Sequence, residues 1–196
     1  DIVLIGHKGH PEVIGTLGRH PADSDTKIYL VEDHADIKQL EINSAEIAYV
    51  TQTTLSVDET KELIEALQSK YPQIIGPSAD DICYATQNRQ DAVKQLSLEC
   101  EIVLVIGSKT SSNSNRLKEL AEKCGTKSFL IDDKTDINIE ELKHASSVGI
   151  TAGASAPEEI VQEVISFLFP LGYKTVRNLS ENNESMTFKL PKELAD

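Results

Sequence analysis

Basic residues, pairable cysteines and long apolar runs are all scarce in this chain. Against 32 Asp and Glu stand only 19 Lys and Arg, a formal charge of −13. Such a surface repels phosphate backbones and argues against a nucleic-acid groove, but a small anion in a local pocket is still compatible with it. Cys83, Cys100 and Cys124 form no CxxC pair and no framework spacing. That argues against a disulfide scaffold, and a reducing, intracellular compartment is expected. No run of 18 apolar residues exists, so no membrane-spanning helix is expected. No secretory signal pattern opens the chain. Its first residues already read as a buried strand, without Met, so we expect further sequence upstream. The sequons at Asn178 and Asn183 read as chance without such a signal.

What the chain does have is an internal repeat. Asp1-Ile2-Val3-Leu4-Ile5 answers Glu101-Ile102-Val103-Leu104-Val105 at a spacing of 100 residues. Lys27–Asp33 answers Lys127–Asp133, and Tyr49-Val50-Thr51 answers Gly149-Ile150-Thr151. Two copies of one unit imply one architecture used twice. The 196 residues, 39% hydrophobic and 26% charged, suffice for two modest cores.

The short β-branched runs Ile2–Gly6, Ile28–Val31, Ile47–Thr51, Ile102–Ile106, Phe129–Ile131 and Val148–Thr151 suit strands buried on both faces of parallel sheets. Helical patterns over Thr60–Lys70, Asn115–Cys124 and Pro157–Leu168 separate them, which predicts an α/β fold. Pro11 and Pro157 suit first helical turns, and Ser56 with Glu59 has capping-box spacing. Cys124 falls on an apolar helix face and is expected in the core. Cys100, beside a strand, is expected to be inert. Gly76–Asp81 is a turn-rich junction. Tyr173–Leu179 and Met186–Leu190 read as a hairpin or two edge strands. The expected organisation is a unit over 1–79, a second over 80–169, and a β-rich tail over 170–196.

In doubly wound α/β proteins ligands bind beyond the carboxyl ends of the strands. The loops at those ends are His7–Glu12, Thr51–Thr54, Gly107–Asn115 and Ala152–Ser155. Ser111, Ser112 and Asn113 put hydroxyl and amide groups where a helix begins, a favourable place for an anion. GxxxxGK[ST] is absent, so this is no Walker loop, and capping alone also accounts for one such residue. His10 and Glu12 offer a proton relay or a simple helix cap. Thr53 and Ser155 occupy corresponding loops and could bind a substrate oxygen or cap a helix. Cys83 precedes a helical segment with Ala92, Val93 and Leu96, where a thiolate is stabilised and can bind metal. His7, His20, His34 and His144 have no partner pattern and read as surface or structural.

The segments GHKGHPEV, VTQTTLSVDET, DDICYATQNRQ, GSKTSSNSNRL and GITAGASAPEEIV resemble, in order, the 4-hydroxy-3-methylbut-2-enyl diphosphate reductases of the LytB family. That resemblance implies a trefoil of three α/β units around a 4Fe–4S cluster, with this chain supplying two units and its tail packing on the third. It implies Cys83 as one cluster ligand, with two further cysteines in an N-terminal part that this sequence lacks. It also implies Glu12 as proton donor, His10 and Thr53 as substrate contacts, and Ser111, Ser112, Asn113 and Ser155 as a diphosphate clamp. The implied activity is the last, reductive dehydroxylation step of non-mevalonate isoprenoid biosynthesis. Electrons would come from ferredoxin or flavodoxin, docked through a local basic patch. The implied location is the bacterial cytoplasm, with the plastid stroma as the alternative, and neither nucleic acid nor membrane is an expected partner. The piece alone, with one ligand where three are needed, is expected to be inactive.

Two other classes compete with this reading. A non-catalytic anion- or diphosphate-binding α/β module would keep the Ser/Asn loop without redox chemistry. A cluster-independent enzyme acting on a phosphorylated small molecule would use His10 and Glu12 as acid and base.

Overall fold

A computed structural model describes residues 1–78, 81–179 and 190–191. Among these residues six strands form two parallel three-stranded sheets. In the first, β1 (Ile2–Ile5) lies between β2 (Ile28–Val31) and β3 (Ala48–Thr51). In the second, β4 (Ile102–Ile106) lies between β5 (Lys127–Ile131) and β6 (Val148–Ala152). The α/β expectation and the doubled architecture both hold.

The repeat is offset by one residue from its sequence spacing at two of the three strands. Ile5 pairs with Val31 and Thr51, whereas Ile106 pairs with Ile131 and Ala152. Ile5 therefore corresponds to Ile106, not to Val105, and Thr51 to Ala152. The shift matters because successive strand residues face opposite sides of the sheet. With it, Val3 and Ile5 face α2 (His34–Gln39) and α3 (Val57–Lys70), as Leu104 and Ile106 face α6 (Ile139–Leu142) and α7 (Glu158–Leu168).

The helices start where their caps dictate. His10 caps α1 (Pro11–Arg19), with Pro11 in the first turn. The Ser56 hydroxyl accepts the Glu59 N–H of α3 at 3.4 Å. Ser111 caps α5 (Ser112–Lys123) by accepting the Ser114 N–H at 3.3 Å. Cys83 caps α4 (Tyr84–Glu99) through its backbone alone. Pro157 is the cap residue of α7, one place ahead of the first-turn position expected for it.

Two sequence expectations fail. Cys124 is exposed rather than in the core, because α5 has ended at Lys123 and the chain turns away through Gly125 at φ +86°. Tyr173–Leu179 forms no strand. Tyr173 is instead pinned by its hydroxyl, which donates to the carbonyls of Leu142 (2.7 Å) and Ala145 (2.8 Å). Most of the partner run, Met186–Leu190, lies outside the described residues, as do Ala79 and Asp80 of the junction. Cys100 is partly buried, and burial pushes its thiol up, consistent with an inert role.

The two units are fastened to each other near the strand ends. Buried Gln90 of α4 accepts the Val57 N–H at 3.0 Å and donates to the Leu55 carbonyl at 2.8 Å. Lys94 pairs with Asp58, and Lys123 with Glu59. The candidate loops thus meet at one end of both sheets.

Candidate functional site

Glycine at the end of the first strand lets this region close. A Cβ on Gly6 would sit 2.7 Å from Val13 and 3.2 Å from Gln52. In the second unit, a Cβ on Gly107 or Gly153 would lie 2.2 Å from the Ser114 hydroxyl. Small residues therefore allow the first turns of α1 and α5 to approach the strand ends.

Glu12, in the first turn of α1, reaches across to the loop after β3. Its carboxylate accepts the Thr53 hydroxyl at 2.7 Å and the Thr53 N–H at 3.2 Å. His10 Nδ1 accepts the Glu12 N–H at 3.3 Å and lies 3.9 Å from the Glu12 carboxylate. That nitrogen is therefore unprotonated in the neutral ring, and Nε2 carries the hydrogen. The Thr53 carbonyl in turn accepts the Cys83 N–H at 3.0 Å. His10, Glu12, Thr53 and Cys83 thus form one connected group from three separate segments. The Cys83 thiol is exposed and makes no capping bond of its own.

The Ser/Asn loop divides into two roles. Ser111 is occupied in capping α5, as the bland reading holds. Ser112 faces the first unit, where its hydroxyl accepts Thr54 Oγ1 at 3.0 Å and Gln52 Nε2 at 3.4 Å. Asn113 is 6% exposed, and neither end of its buried side-chain amide has a partner among the described residues. An unsatisfied buried polar group costs about 1–3 kcal/mol, so an amide left open at a helix N-terminus points to a ligand. The buried Ser114 hydroxyl is likewise unpartnered among the described residues.

Ser155 is exposed in the turn after β6, and no hydrogen bond draws it into the Glu12 group. Its link to that group is indirect. Arg89, on the helix that Cys83 caps, donates from Nε to the Ala152 carbonyl at 2.9 Å. Among the described residues no three His, Cys, Asp or Glu side chains are grouped to hold a metal ion. Cys83 is the thiol that this hydrogen-bonded group brings beside Glu12 and Thr53.

Four residues here were not singled out from the sequence. Gln52, 2% exposed, accepts the His7 N–H at 3.0 Å while bridging to Thr54 and Ser112. The only hint was its place between Thr51 and Thr53. Thr54, Arg89 and Arg116 gave no signal. His7, read as surface or structural, is half-buried against Arg116 at 2.8 Å.

The family model described as LytB protein matches residues 1–169. The chain belongs to the LytB family. This LytB chain is 56% identical, over its whole length, to the 4-hydroxy-3-methylbut-2-enyl diphosphate reductase of Chromohalobacter salexigens, and 54% identical over 99% of its length to that of Saccharophagus degradans. It spans 62% and 63% of those relatives. Among solved structures, the E-1-hydroxy-2-methyl-but-2-enyl-4-diphosphate reductase from Plasmodium falciparum superposes with a TM-score of 0.90 at 34% identity. That match covers 98% of the LytB chain and 60% of the structure. The described residues contain no helix long and apolar enough to cross a membrane.

Proposed function

We propose that the whole protein containing this LytB chain is a reductase converting 4-hydroxy-3-methylbut-2-enyl diphosphate to isopentenyl and dimethylallyl diphosphate. The observation that carries this reading is the junction of the Glu12–Thr53 pair with Cys83 on one side and, through the Thr53–Thr54 loop, with Ser112 and the open amide of Asn113 on the other. The curated reductases it resembles support the same substrate.

In this reading the end of α5 binds the diphosphate. Ser112 and Asn113 donate to its oxygens, aided by the helix dipole, with Ser111 and Ser155 at the rim. His10 and Thr53 orient the substrate's hydroxyl end, and Thr53 keeps the Glu12 carboxylate aimed at the same point. Glu12 delivers a proton as the allylic C–O bond breaks. In total two electrons and two protons enter and water leaves. A 4Fe–4S cluster, held by Cys83 and two cysteines from the rest of the protein, supplies electrons and a Lewis-acidic iron when bound. Ferredoxin or flavodoxin fits as donor, and bacterial cytoplasm as location, with plastid stroma as the alternative.

Residues 1–79 and 80–169 then count as two of three units, and the tail from 170 starts out on the second of them, where Leu142 and Ala145 hold Tyr173. The separate sheets and the incompletely covered face of the first one support that division. A non-catalytic diphosphate-binding module is favoured by the Asn113 site alone, but such a module has no use for the Glu12–Thr53–Cys83 group.

The test is anaerobic turnover by the whole protein, with its visible cluster absorption. Cys83→Ser is expected to abolish both. Full activity in Cys83→Ser, or binding of the diphosphate by a wild-type protein that never turns over, would favour the module.

A further inference from the structure

We propose that the side-chain contact between His7 and Arg116 is a positioning clasp, which holds the Glu12 loop of the first unit against the anion-binding helix of the second and closes only while His7 is neutral. The inference rests on the reductase reading and deepens it.

Arg116 lies on α5 one turn beyond Asn113, and its Nη2 sits 2.8 Å from His7 Nε2. A guanidinium only donates, so Nε2 must accept and the ring's hydrogen sits on Nδ1. Glu119 holds Arg116 from its own helix, and Glu59 of α3 stands 4.0 Å away. On the backbone side, His7 N–H donates to Gln52, which bonds Ser112. The His7 loop is therefore tied to α5 twice, once at Ser112 and once a turn later. His7 also closes the turn that presents the catalytic group, because its carbonyl accepts the His10 N–H at 3.0 Å. Moving His7 moves His10 and Glu12 with it.

The contact is sensitive to protonation. Burial, then the Arg116 charge, lower the His7 pKa, with a smaller push from His10, while Glu32 and Glu119 oppose them. Protonated, the ring has two donors and nothing for Arg116 to bond. Protonation puts the second hydrogen on Nε2, against the guanidinium, while Nδ1–H already faces the Glu32 carboxylate at 4.0 Å. Asp33, His34, Glu59 and Glu62 are the other titratable groups on the wall of the cavity, of about 370 Å³, that His7 and Arg116 share. Acid thus opens the contact between units and leaves a charged ring beside Glu32 of the first unit.

The experiment uses the whole holoenzyme. Arg116→Ala is expected to raise KM for 4-hydroxy-3-methylbut-2-enyl diphosphate about tenfold, the loss of roughly one charge-assisted hydrogen bond, with a smaller change in kcat. His7→Gln retains an acceptor at every pH. It is expected to keep KM near wild type at neutral pH and to flatten the rise in KM on acidification. Comparison with wild type cancels titration of the diphosphate itself. An unchanged KM in Arg116→Ala, or the same pH profile in His7→Gln as in wild type, overturns the clasp. The His7 ring is also titrated by NMR, where Arg116→Ala is expected to raise its pKa, and no change would overturn the contact whatever the activity. Absence of turnover in wild type would refute the reductase reading instead, and the NMR result would still decide the clasp.

Discussion

In the second unit both faces of the sheet carry helices. Leu104 and Ile106 face α6 and α7, while Val103 and Val105 face α4 and α5, where Leu117 and Ala121 are fully buried. In the first unit only one face is covered in this way, by α2 and α3. On the other face α1, the counterpart of α5, buries Val13 alone and leaves Ile14 59% and Leu17 36% exposed. Among the described residues the first unit has no helix that corresponds to α4. A buried parallel strand needs both faces covered, so the α1 face of the first unit is where the proposed third unit would pack. The candidate site residues are also unequally shared. The first unit supplies His10, Glu12 and Thr53, and the second supplies the Ser112–Asn113 helix end.

The largest expected difference between the units is catalytic. In the whole protein, Glu12→Gln is expected to lower kcat by about 10²–10⁴-fold with little change in KM, as for a lost proton donor. Asn113→Ala is expected to act mainly on KM, raising it about tenfold for a lost hydrogen bond to an anion. Steady-state kinetics of both variants checks the division, and a KM defect in Glu12→Gln with normal kcat would break it.

Packing gives the next effect. Leu117→Ala is expected to cost about 2–5 kcal/mol, measured by urea unfolding. The proposed three-unit arrangement covers α1, and under it Leu17→Ala is expected to cost more than about 1 kcal/mol in the whole protein. A cost within about 0.5 kcal/mol, the surface range, would mean that α1 stays exposed there.

The smallest effect is that of pH on stability. The folded state resists protonation of His7, so the unfolded state binds more protons as pH drops below about 6.5, the ordinary histidine value. Stability that His7 contributes above that pH is therefore lost toward acid, and the loss levels off below the lowered folded value. Urea midpoints at pH 7.5 and 5.5 are expected to differ less in His7→Gln than in wild type.

The strands were legible because apolar β-branched runs have few alternatives. The facing of their side chains was not, since repeats aligned at 100 residues hide a one-residue shift at Ile5 and Ile106 that only the ladder reveals. Cys124 misled because helical periodicity continues past the residue where the helix ends. The site was legible as a set of strand-end loops whose polar residues stood out, and motif resemblance added the role of each. The contacts of Gln52 with Ser112 and of His7 with Arg116 join residues far apart in sequence, and no local pattern encodes them.

The most direct test of convergent loops from two units is a crystal structure of the whole protein with its substrate. The diphosphate is expected on Ser112 and Asn113, with the substrate's hydroxyl end beside Thr53 and Glu12. A diphosphate bound elsewhere, or Glu12 parted from Thr53 and facing solvent, would contradict the account.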